Sequence, residues 1–558
     1  MWPENWQLKT YSMESYDGVK LHTEVYLPDT KGRYPVICIR DPYVLPPEDT
    51  DEYRKTKFDL HRHRLEQGFA VVHQHCRGYG GSEGRAAPFV YERRDGLILL
   101  SWIQKQDWYG DGIYLEGGSY TGYVELAVLD ALPDAVKAAS IAVFSSHAYE
   151  VSYLNGEYKL HIGPIWYPTV LKNEELLSSV ENSFDVKHVQ KFYHAAIIQH
   201  PFYKFVKRLY GHDVPEFSDW FFCSGNDDEF ARRKNGIGDA RDAMRKAKIP
   251  ILLRGGWFEP FFNGMVPMWD ELPEETRGKS CFLVGPWTHS TTLKNVEACP
   301  FFGENGEIEE STAVAWFRHI RDGAEFPYAQ EGNISAYIVG EDRWENHAAF
   351  RLDEAEPLRL YPSQDSRLTT ERPEESEISY RYNPLDPPEF SGGQNAFSTV
   401  SDGAALQPQP NFRPDVKSFS TEPLTKDLKM RGPTKIHFAV KSDCDDTAFL
   451  VRVLGVTRSG EAWVLQETIT TLSFAAGNYD PNTTAEFELV TDPLFWTLKQ
   501  GERIRVDIAS ANGSSYWPHS NTKGQWATRS TTRIATNTLF IGKFYLEFPA
   551  VELQEGSF

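Results

Sequence analysis

A single serine in a glycine-rich segment has the clearest capacity for chemistry in this sequence. Ser119 lies in the run Gly117-Gly118-Ser119-Tyr120-Thr121-Gly122, between a strand-like stretch and a segment with helical spacing. A nucleophilic serine must project its hydroxyl from a sharp strand-to-helix turn, and small neighbours let the backbone turn that tightly. The N–H of Tyr120 at the start of the helix would then face an oxyanion. The second glycine falls one position later than in the usual G-x-S-x-G pattern, so the motif alone fits an ordinary glycine-rich turn equally well.

A carboxylate and a histidine follow Ser119 in the chain order that α/β-hydrolases use. Glu259 comes after the apolar run 249–253, and His289 comes after the run 282–284. Open α/β sheets carry their chemistry beyond the carboxyl ends of their strands, so we expect both side chains to meet Ser119 there. His289 would take the proton from Ser119 and deliver it to the leaving group, while Glu259 would hold the imidazole in the required tautomer.

The elements that must position these residues fall into three regions. Residues 1–146 and 248–352 alternate strand-like runs with helical patterns, which predicts βαβ units and a parallel sheet. Residues 147–247 are rich in aromatic residues and histidine without alternating strands, which predicts a helical cap inserted into that core. Residues 353–558 show period-2 strands separated by turns, which predicts a β-sandwich. The predicted helices lie at residues 96–105, 120–132, 173–180, 239–248 and 310–321.

Composition limits the classes of partner and the compartment. The 558 residues include 58 Lys and Arg against 79 Asp and Glu, a net charge of −21 that argues against nucleic acid and anionic membrane surfaces as partners. The amino terminus does not read as a signal peptide, and apolar runs fall far short of the roughly 20 residues that span a bilayer. Six cysteines without a C-x-x-C pair favour buried free thiols over disulfides. We therefore expect a soluble, cytoplasmic protein; the oligomeric state stays open.

Short segments spread over nearly the whole chain carry a resemblance to a known family. They are Arg40 to Tyr43, Arg77 to Gly84, Asp95-Gly96, Gly117 to Gly122, Gly255 to Trp257, Gly285 to His289, Asn383 to Pro387, Gly392-Gly393, Thr421 to Leu424 and Asp445 to Thr447. With these segments in this order, the sequence resembles the cocaine esterase/X-prolyl dipeptidyl-peptidase group of serine hydrolases, also called CocE/NonD. The family's G-x-S-Y-x-G motif accounts for the position of the second glycine.

The resemblance implies an α/β-hydrolase core, an inserted helical cap and a C-terminal β jelly roll. It also implies that the Tyr43 hydroxyl donates to the oxyanion together with the backbone N–H of Tyr120, and that no cofactor is needed. One departure is Glu259, which stands where the family usually has aspartate. Glutamate is an accepted triad acid, but its extra methylene requires local adjustment, and Asp270 is the alternative acid.

A second departure concerns the histidines before Arg77. The aspartate usual in the family is replaced in a segment that contains His73 and His75. Two closely spaced histidines invite a metal-binding interpretation. Polar residues at a strand end are favoured instead, because no acid or Cys/His cluster of ligand spacing accompanies them in the sequence. We therefore expect no metal site.

The stretch after Glu259 bears on the substrate. Related α-amino acid ester hydrolases carry extra carboxylates there to bind an ammonium, whereas this chain has Pro-Phe-Phe-Asn. We therefore predict a serine hydrolase that cleaves small-molecule carboxylic esters, or less readily amides, with apolar or aromatic acyl groups through an acyl-enzyme. The alternatives are an Xaa-Pro dipeptidyl-peptidase, an α-amino acid ester hydrolase and a non-catalytic binding protein that uses its jelly roll. Candidate pocket walls, which could equally be core residues, are Trp166, Trp257, Phe258 and Phe261.

Overall fold

A computed structural model of the chain describes residues 6–43, 50–160, 166, 240–290, 298–308, 311–352, 356–394, 402–524 and 528–551. The strands of this part, β1 to β25 in chain order, are Gln7–Glu14, Lys20–Leu27, Tyr34–Asp41, Ala70–His75, Tyr109–Gly118, Val136–Ala142, Tyr153–Leu154, Glu157–Tyr158, Ile251–Gly256, Cys281–Gly285, Ile334–Ile338, Arg343–His347, Glu356–Pro362, Leu368–Thr369, Ser376–Tyr382, Lys417–Ser420, Leu428–Gly432, Lys435–Ser442, Ala448–Val456, Ala462–Thr471, Ala485–Val490, Leu494–Leu498, Arg503–Ala509, Ala535–Ile541 and Tyr545–Val551. The helices α1 to α9 are Asp51–Glu66, Glu92–Ile103, Tyr120–Leu126, Ala148–Ser152, Arg241–Met244, Phe262–Glu271, Glu274–Arg277, Thr312–Asp322 and Leu472–Ala476, and short 3-10 turns occupy Leu129–Ala131 and Glu304–Gly306.

The first sheet carries the predicted catalytic residues. Its ten strands are ordered β1-β2-β4-β3-β5-β6-β9-β10-β11-β12. The strands from β4 to β11 pair in parallel, which confirms the predicted α/β core. Every residue of β4 and of β10 is buried, as expected for strands covered on both faces. Because β5, β6, β9 and β10 are neighbours, the loops that follow β5, β9 and β10 emerge at the same edge of the sheet.

Antiparallel strands β1, β2 and β12 extend the edges of this sheet. The pattern of apolar residues does not predict β1 or β2. The helix expected over residues 239–248 is only one turn long, Arg241–Met244. Of the predicted helical cap, residues 147–160, 166 and 240–247 are described, and the rest of it, including the helix expected at 173–180, lies outside the described residues. The domain boundaries therefore stay predictions.

The C-terminal region consists of antiparallel sheets. A nine-stranded sheet contains β13 to β15, β17, β18, β21, β22, β24 and β25, and a four-stranded sheet has the order β16-β23-β19-β20. The ring of Phe438 on β18 lies 5.7 Å from the ring of Phe449 on β19, so the two sheets face each other across a shared core. This confirms the predicted β-sandwich, while the jelly-roll strand order remains an expectation from the resemblance.

A short hairpin, β7–β8, joins the core to the C-terminal sandwich. Its strands pair with each other, and the chain beyond it pairs with a loop of the sandwich. The N–H of Leu160 donates to the Ser515 carbonyl at 2.9 Å, and the N–H of Trp517 donates to the Tyr158 carbonyl at 2.9 Å. The hairpin therefore occupies a position that depends on both regions.

The cysteines and helices bear on the predicted compartment. Five cysteines within the described ranges are free and buried, which confirms for them the prediction of free thiols rather than disulfides: Cys38, Cys76, Cys281, Cys299 and Cys444. Cys223 lies outside those ranges. None of the helices in the described part of the chain has the length and apolar character that a membrane crossing would need. The cytoplasmic location stays a prediction.

Candidate active site

Ser119 occupies a strained turn between β5 and α3. Its backbone has φ 56° and ψ −131°, a conformation that L-residues rarely adopt. A Cβ on Gly117 would lie 2.0 Å from the Thr121 carbonyl oxygen, and one on Gly122 would lie 3.1 Å from the carbonyl oxygen of Ala142 on β6. The close approach therefore requires glycine at position 117, and a Cβ at position 122 would be crowded against β6, which accounts for the G-x-S-x-x-G spacing in physical terms.

Thr121 stands where the usual motif has its second glycine, and its side chain supports the turn. The Gly118 N–H donates to Thr121 Oγ1 at 2.7 Å, and the Thr121 hydroxyl donates to the Gly118 carbonyl at 2.6 Å. The N–H of Ser119 donates to the Ala142 carbonyl at 2.9 Å, which ties the turn to β6. These bonds fix the direction in which the Ser119 hydroxyl leaves the backbone.

A continuous chain of hydrogen bonds links Ser119, His289 and Glu259. The Nε2 atom of His289 lies 3.0 Å from Ser119 Oγ. The Nδ1 atom of His289 lies 2.9 Å and 3.0 Å from the two carboxylate oxygens of Glu259. Glu259 is fully buried, and it also accepts a hydrogen bond from the Phe261 N–H at 3.2 Å. Asp270 is exposed near the end of α6, so the structure brings Glu259 rather than Asp270 to the histidine.

The electrostatics of His289 suit a general base. Burial disfavours the charged imidazolium, but the charge and hydrogen bond of Glu259 outweigh burial and raise the pKa of His289 above its usual 6.5. The charge of Asp402, in the C-terminal region, acts in the same direction. A base with a raised pKa holds a proton more tightly once it has removed it from a nucleophile.

The predicted oxyanion residues converge on Ser119. The Tyr43 N–H donates to Asp41 Oδ1 at 2.7 Å, which fixes the residue beyond β3. Its ring is partly exposed, but burial of the hydroxyl raises the pKa of Tyr43 to about 12, and the hydrogen bond with Trp166 acts in the opposite direction. Because Trp166 Nε1 donates to the hydroxyl at 3.0 Å, the hydroxyl proton itself remains available to an oxyanion.

The side chain of Tyr120 is held by contacts other than the Tyr43 hydroxyl. Its own hydroxyl donates to the Glu92 carboxylate and accepts from the Phe89 N–H at 2.9 Å. Its ring is fully buried and stacks on Trp166 at 5.7 Å. The anchored ring leaves the backbone N–H of Tyr120 as the group that can act beside Ser119.

Two of the four predicted pocket aromatics lie beside the site. Phe261 meets the His289 ring edge-on at 5.5 Å, and Trp166 contacts Tyr43 and Tyr120 as described. Phe144, which sequence reasoning missed, lies 5.4 Å from Phe261. Phe144 lies two residues after the end of β6, so the rule that placed Glu259 and His289 beyond strand ends could have found it.

The ring contacts of the other two predicted pocket aromatics lie elsewhere, and their role in substrate binding stays a prediction. Trp257 donates its Nε1–H to the Tyr337 carbonyl at 2.9 Å, and its ring contacts Phe495 of the C-terminal region at 5.7 Å. Phe258 contacts Phe302 edge-on at 5.9 Å. Both are almost fully buried, so they stabilise the core and its junction with the sandwich.

One group of side chains on β2 and β4 has ligand types that metals use. Atoms of His22, Glu24 and His75 lie within 4.8 Å of one another. The Nδ1 atom of His75 accepts a hydrogen bond from the Gly81 N–H at 3.3 Å, which in a neutral imidazole places the proton on Nε2. That nitrogen would have to lose its proton before it could bind an ion, so we assign no metal to this group.

Comparison with known proteins identifies the family of the chain. The family model described as "X-Pro dipeptidyl-peptidase (S15 family)" matches residues 17–291, and the model of the "X-Pro dipeptidyl-peptidase C-terminal non-catalytic domain" matches residues 326–545. The chain belongs to this family of serine hydrolases. The resemblance seen in the sequence and the prediction of a serine hydrolase are thereby confirmed.

Relatives of this S15-family hydrolase share its full length. The cocaine esterase of Rhodococcus sp. (strain MB1 Bresler) is 24% identical over 548 residues, which are 93% of this chain and 93% of that protein. A solved α-amino acid ester hydrolase superposes with a TM-score of 0.76 at 18% identity, over 98% of this chain and 97% of that chain. An aminopeptidase from a marine sediment Thaumarchaeota archaeon superposes with a TM-score of 0.72 at 17% identity, over 98% and 97% of the two chains. These structures share the fold of the hydrolase.

Proposed function

We propose that this S15-family hydrolase cleaves carboxylic esters through a Ser119–His289–Glu259 triad and an acyl-enzyme. The observation that carries the proposal is the unbroken chain of contacts from Ser119 Oγ through the imidazole to the buried Glu259 carboxylate. His289 removes the Ser119 proton as the oxygen attacks the ester carbonyl, and Glu259 stabilises the imidazolium that forms. His289 then delivers this proton to the departing alkoxide.

The developing oxyanion would be held by the Tyr43 hydroxyl and the Tyr120 N–H. Both groups are preorganised, the first by Asp41 and Trp166 and the second by the start of α3. Donors that are already in place stabilise a transition state without reorganising as charge develops. Water then attacks the acyl-enzyme with His289 as base, which returns Ser119 to its resting state.

The side chains beside the triad favour an apolar or aromatic acyl group. Phe261 lies against His289 and Phe144 lies against Phe261, and a carboxylate pair that would bind an ammonium does not follow Glu259 in the sequence. A small-molecule ester with a hydrophobic acyl group is therefore the substrate class we propose. That neither nucleic acid nor a membrane surface is a partner stays a prediction from the net charge.

The experiment combines a serine-directed probe with a substrate panel. A fluorophosphonate should label Ser119 stoichiometrically, and Ser119→Ala should abolish labelling and reduce ester hydrolysis by roughly 10⁴–10⁶-fold. A folded wild-type protein that neither reacts with the probe nor hydrolyses any activated ester would overturn the proposal and leave the binding-protein alternative.

A second candidate, an Xaa-Pro dipeptidyl-peptidase or α-amino acid ester hydrolase, is favoured by one observation. Asp402 lies near enough to His289 to affect its pKa, and a carboxylate at that position could attract a substrate ammonium. Phenyl acetate, a phenylglycine ester and an Xaa-Pro anilide compared in one assay separate the candidates. A preference for the last two that Asp402→Asn removes would support the second candidate.

A further inference from the structure

Lys159 is a buried lysine beside the loop that carries the triad acid. It follows β8, and only 4% of its surface is exposed. Its ammonium donates to the Pro260 carbonyl at 2.7 Å, to Asn263 Oδ1 at 3.0 Å and to the Glu150 carbonyl at 2.6 Å. Each of its N–H groups therefore has an acceptor. Two of the acceptors belong to residues 259–263, which we term the acid loop.

The contacts of Lys159 bracket the residue that touches both Glu259 and His289. Phe261 lies between Pro260 and Asn263; its N–H donates to Glu259 Oε1, and its ring packs against His289. Holding Pro260 and Asn263 therefore fixes the backbone that orients the carboxylate and the ring that supports the imidazole. A lysine that merely filled space here would be replaced at lower cost by an apolar residue, because burying an ammonium is unfavourable.

We propose that Lys159 is a positioning residue that holds the acid loop at the distance Glu259 requires. The proposal rests on the proposed triad and deepens it. A glutamate reaches one methylene further than the aspartate implied by the family resemblance, so the loop has to sit at a matching distance from His289. The ammonium supplies that constraint by tying the loop to helix α4 through Glu150.

The C-terminal sandwich takes part in this arrangement. Lys159 forms a β-bridge with Tyr516, and the N–H of the adjacent Leu160 donates to the Ser515 carbonyl. The sandwich therefore fixes the backbone of Lys159 relative to the acid loop. Asp492, also in the sandwich, faces the ammonium closely enough for the charge of Lys159 to lower its pKa, although burial raises that pKa to about 6. The acid loop is thus positioned from outside the catalytic sheet.

Titration of Lys159 provides a signature for this role. Burial lowers the pKa of Lys159 from 10.5 to about 8, while the carboxylates that face it, Asp492, Glu150 and Glu259, act in the opposite direction. The neutral amine has two N–H groups, so above about pH 8 one of its acceptors loses its donor. We expect the wild-type kcat to fall as pH rises through that region.

The test compares full-length Lys159→Met with wild type on an activated ester from pH 6 to 10. We expect kcat to fall about 10- to 100-fold at pH 7 with KM within about twofold, because a small misplacement of catalytic groups is costly. The fall in kcat above about pH 8 should be absent from the variant. The matched control is Lys137→Met, which removes an ammonium that donates to the Asp134 carbonyl near the surface and should leave both quantities unchanged.

Asn263→Ala serves as a milder variant if Lys159→Met does not fold, which circular dichroism decides. Asn263→Ala removes one acceptor of the ammonium and should lower kcat by about three- to tenfold. Lys159→Arg keeps a positive charge above pH 8, so it should retain part of the activity that Lys159→Met loses there. A folded Lys159→Met or Asn263→Ala protein with wild-type kcat, or an unchanged alkaline limb in Lys159→Met, would overturn the proposal. An inactive, unlabelled wild type would instead overturn the proposed triad.

Discussion

Replacing Glu259 by glutamine should shift the pH dependence of ester hydrolysis as well as its rate. The variant keeps an acceptor oxygen but removes the charge that lies 2.9 Å from His289 Nδ1. Two unit charges about 4 Å apart interact by roughly 4 kcal/mol at an effective dielectric constant of about 20. At about 1.4 kcal/mol per unit, that corresponds to roughly 3 pKa units.

The observable shift should be smaller than this limit. His289 retains 19% side-chain exposure, and water there screens part of the interaction. In wild type Glu259 holds the pKa of His289 above 6.5, whereas in the variant burial is opposed mainly by the charge of Asp402, so the pKa falls. Catalysis needs the neutral imidazole, so the acid limb of kcat/KM should move to lower pH by about 1–2 units. The rate at its optimum should fall on the order of 10³–10⁴-fold, since the tautomer is no longer fixed.

The assay is a pH profile of kcat/KM for an activated ester between pH 4.5 and 9. Glu259→Asp keeps the charge, so its acid limb should stay near that of wild type while kcat falls because the shorter side chain reaches less far. Asp270→Asn is the matched control and should leave both quantities unchanged. An acid limb that stays in place in Glu259→Gln, or one that moves in Asp270→Asn, would refute the assignment of Glu259 as the triad acid.

Other variants separate catalytic from structural roles. Tyr43→Phe removes the oxyanion donor and should lower kcat about 100-fold with KM unchanged in steady-state kinetics; a change confined to KM would contradict the role. Gly117→Ala places a Cβ 2.0 Å from the Thr121 carbonyl oxygen, so fluorophosphonate labelling should be lost, and normal labelling would disprove the need for this close approach. Trp257→Phe leaves the buried Tyr337 carbonyl without its donor and should lower the free energy of unfolding by about 1–3 kcal/mol in chemical denaturation while kcat stays unchanged. A large loss of kcat in a stable Trp257→Phe protein would support a role of Trp257 in the substrate pocket.

The contacts among the residues of the proposed triad follow from a rule that sequence can supply. Buried apolar runs predict parallel strands, and parallel strands place their following loops at one edge of the sheet. Ser119, Glu259 and His289 each come just after such a run, so their meeting required only that β5, β9 and β10 lie near one another. The antiparallel strands β1 and β2 were missed because neither has a long apolar run. Alternate residues in the second half of β1 face solvent, and the buried part of β2 includes the polar residues Thr23 and Glu24.

The aromatic side chains after β9 show where that rule ends. Trp257, Phe258 and Phe261 are close in sequence and similar in type, yet Phe261 alone among them lies against His289. The N–H of Trp257 donates to the Gly285 carbonyl and that of Phe258 to the Trp287 carbonyl, so the two residues continue the pairing with the chain after β10 and direct their rings into the core. The direction of each ring depends on these loop hydrogen bonds, which composition and spacing do not encode.

Residues of the C-terminal sandwich lie close to the proposed triad, although the family model describes this domain as non-catalytic. Gln394 donates to the Trp257 carbonyl at 3.2 Å next to the acid loop, Asp402 raises the pKa of His289, and Asp492 faces the ammonium of Lys159. Each contact reaches the residues around Glu259 or His289 and none reaches them through the ten-stranded sheet. The sheet brings the loops of the proposed triad to one edge. The acid loop is also held by Lys159, which lies 101 positions before Pro260 and 104 positions before Asn263 in the chain. A longer acid at position 259 is therefore compatible with the hydrolase fold because the sandwich and the β7–β8 hairpin fix how far the acid loop can approach His289.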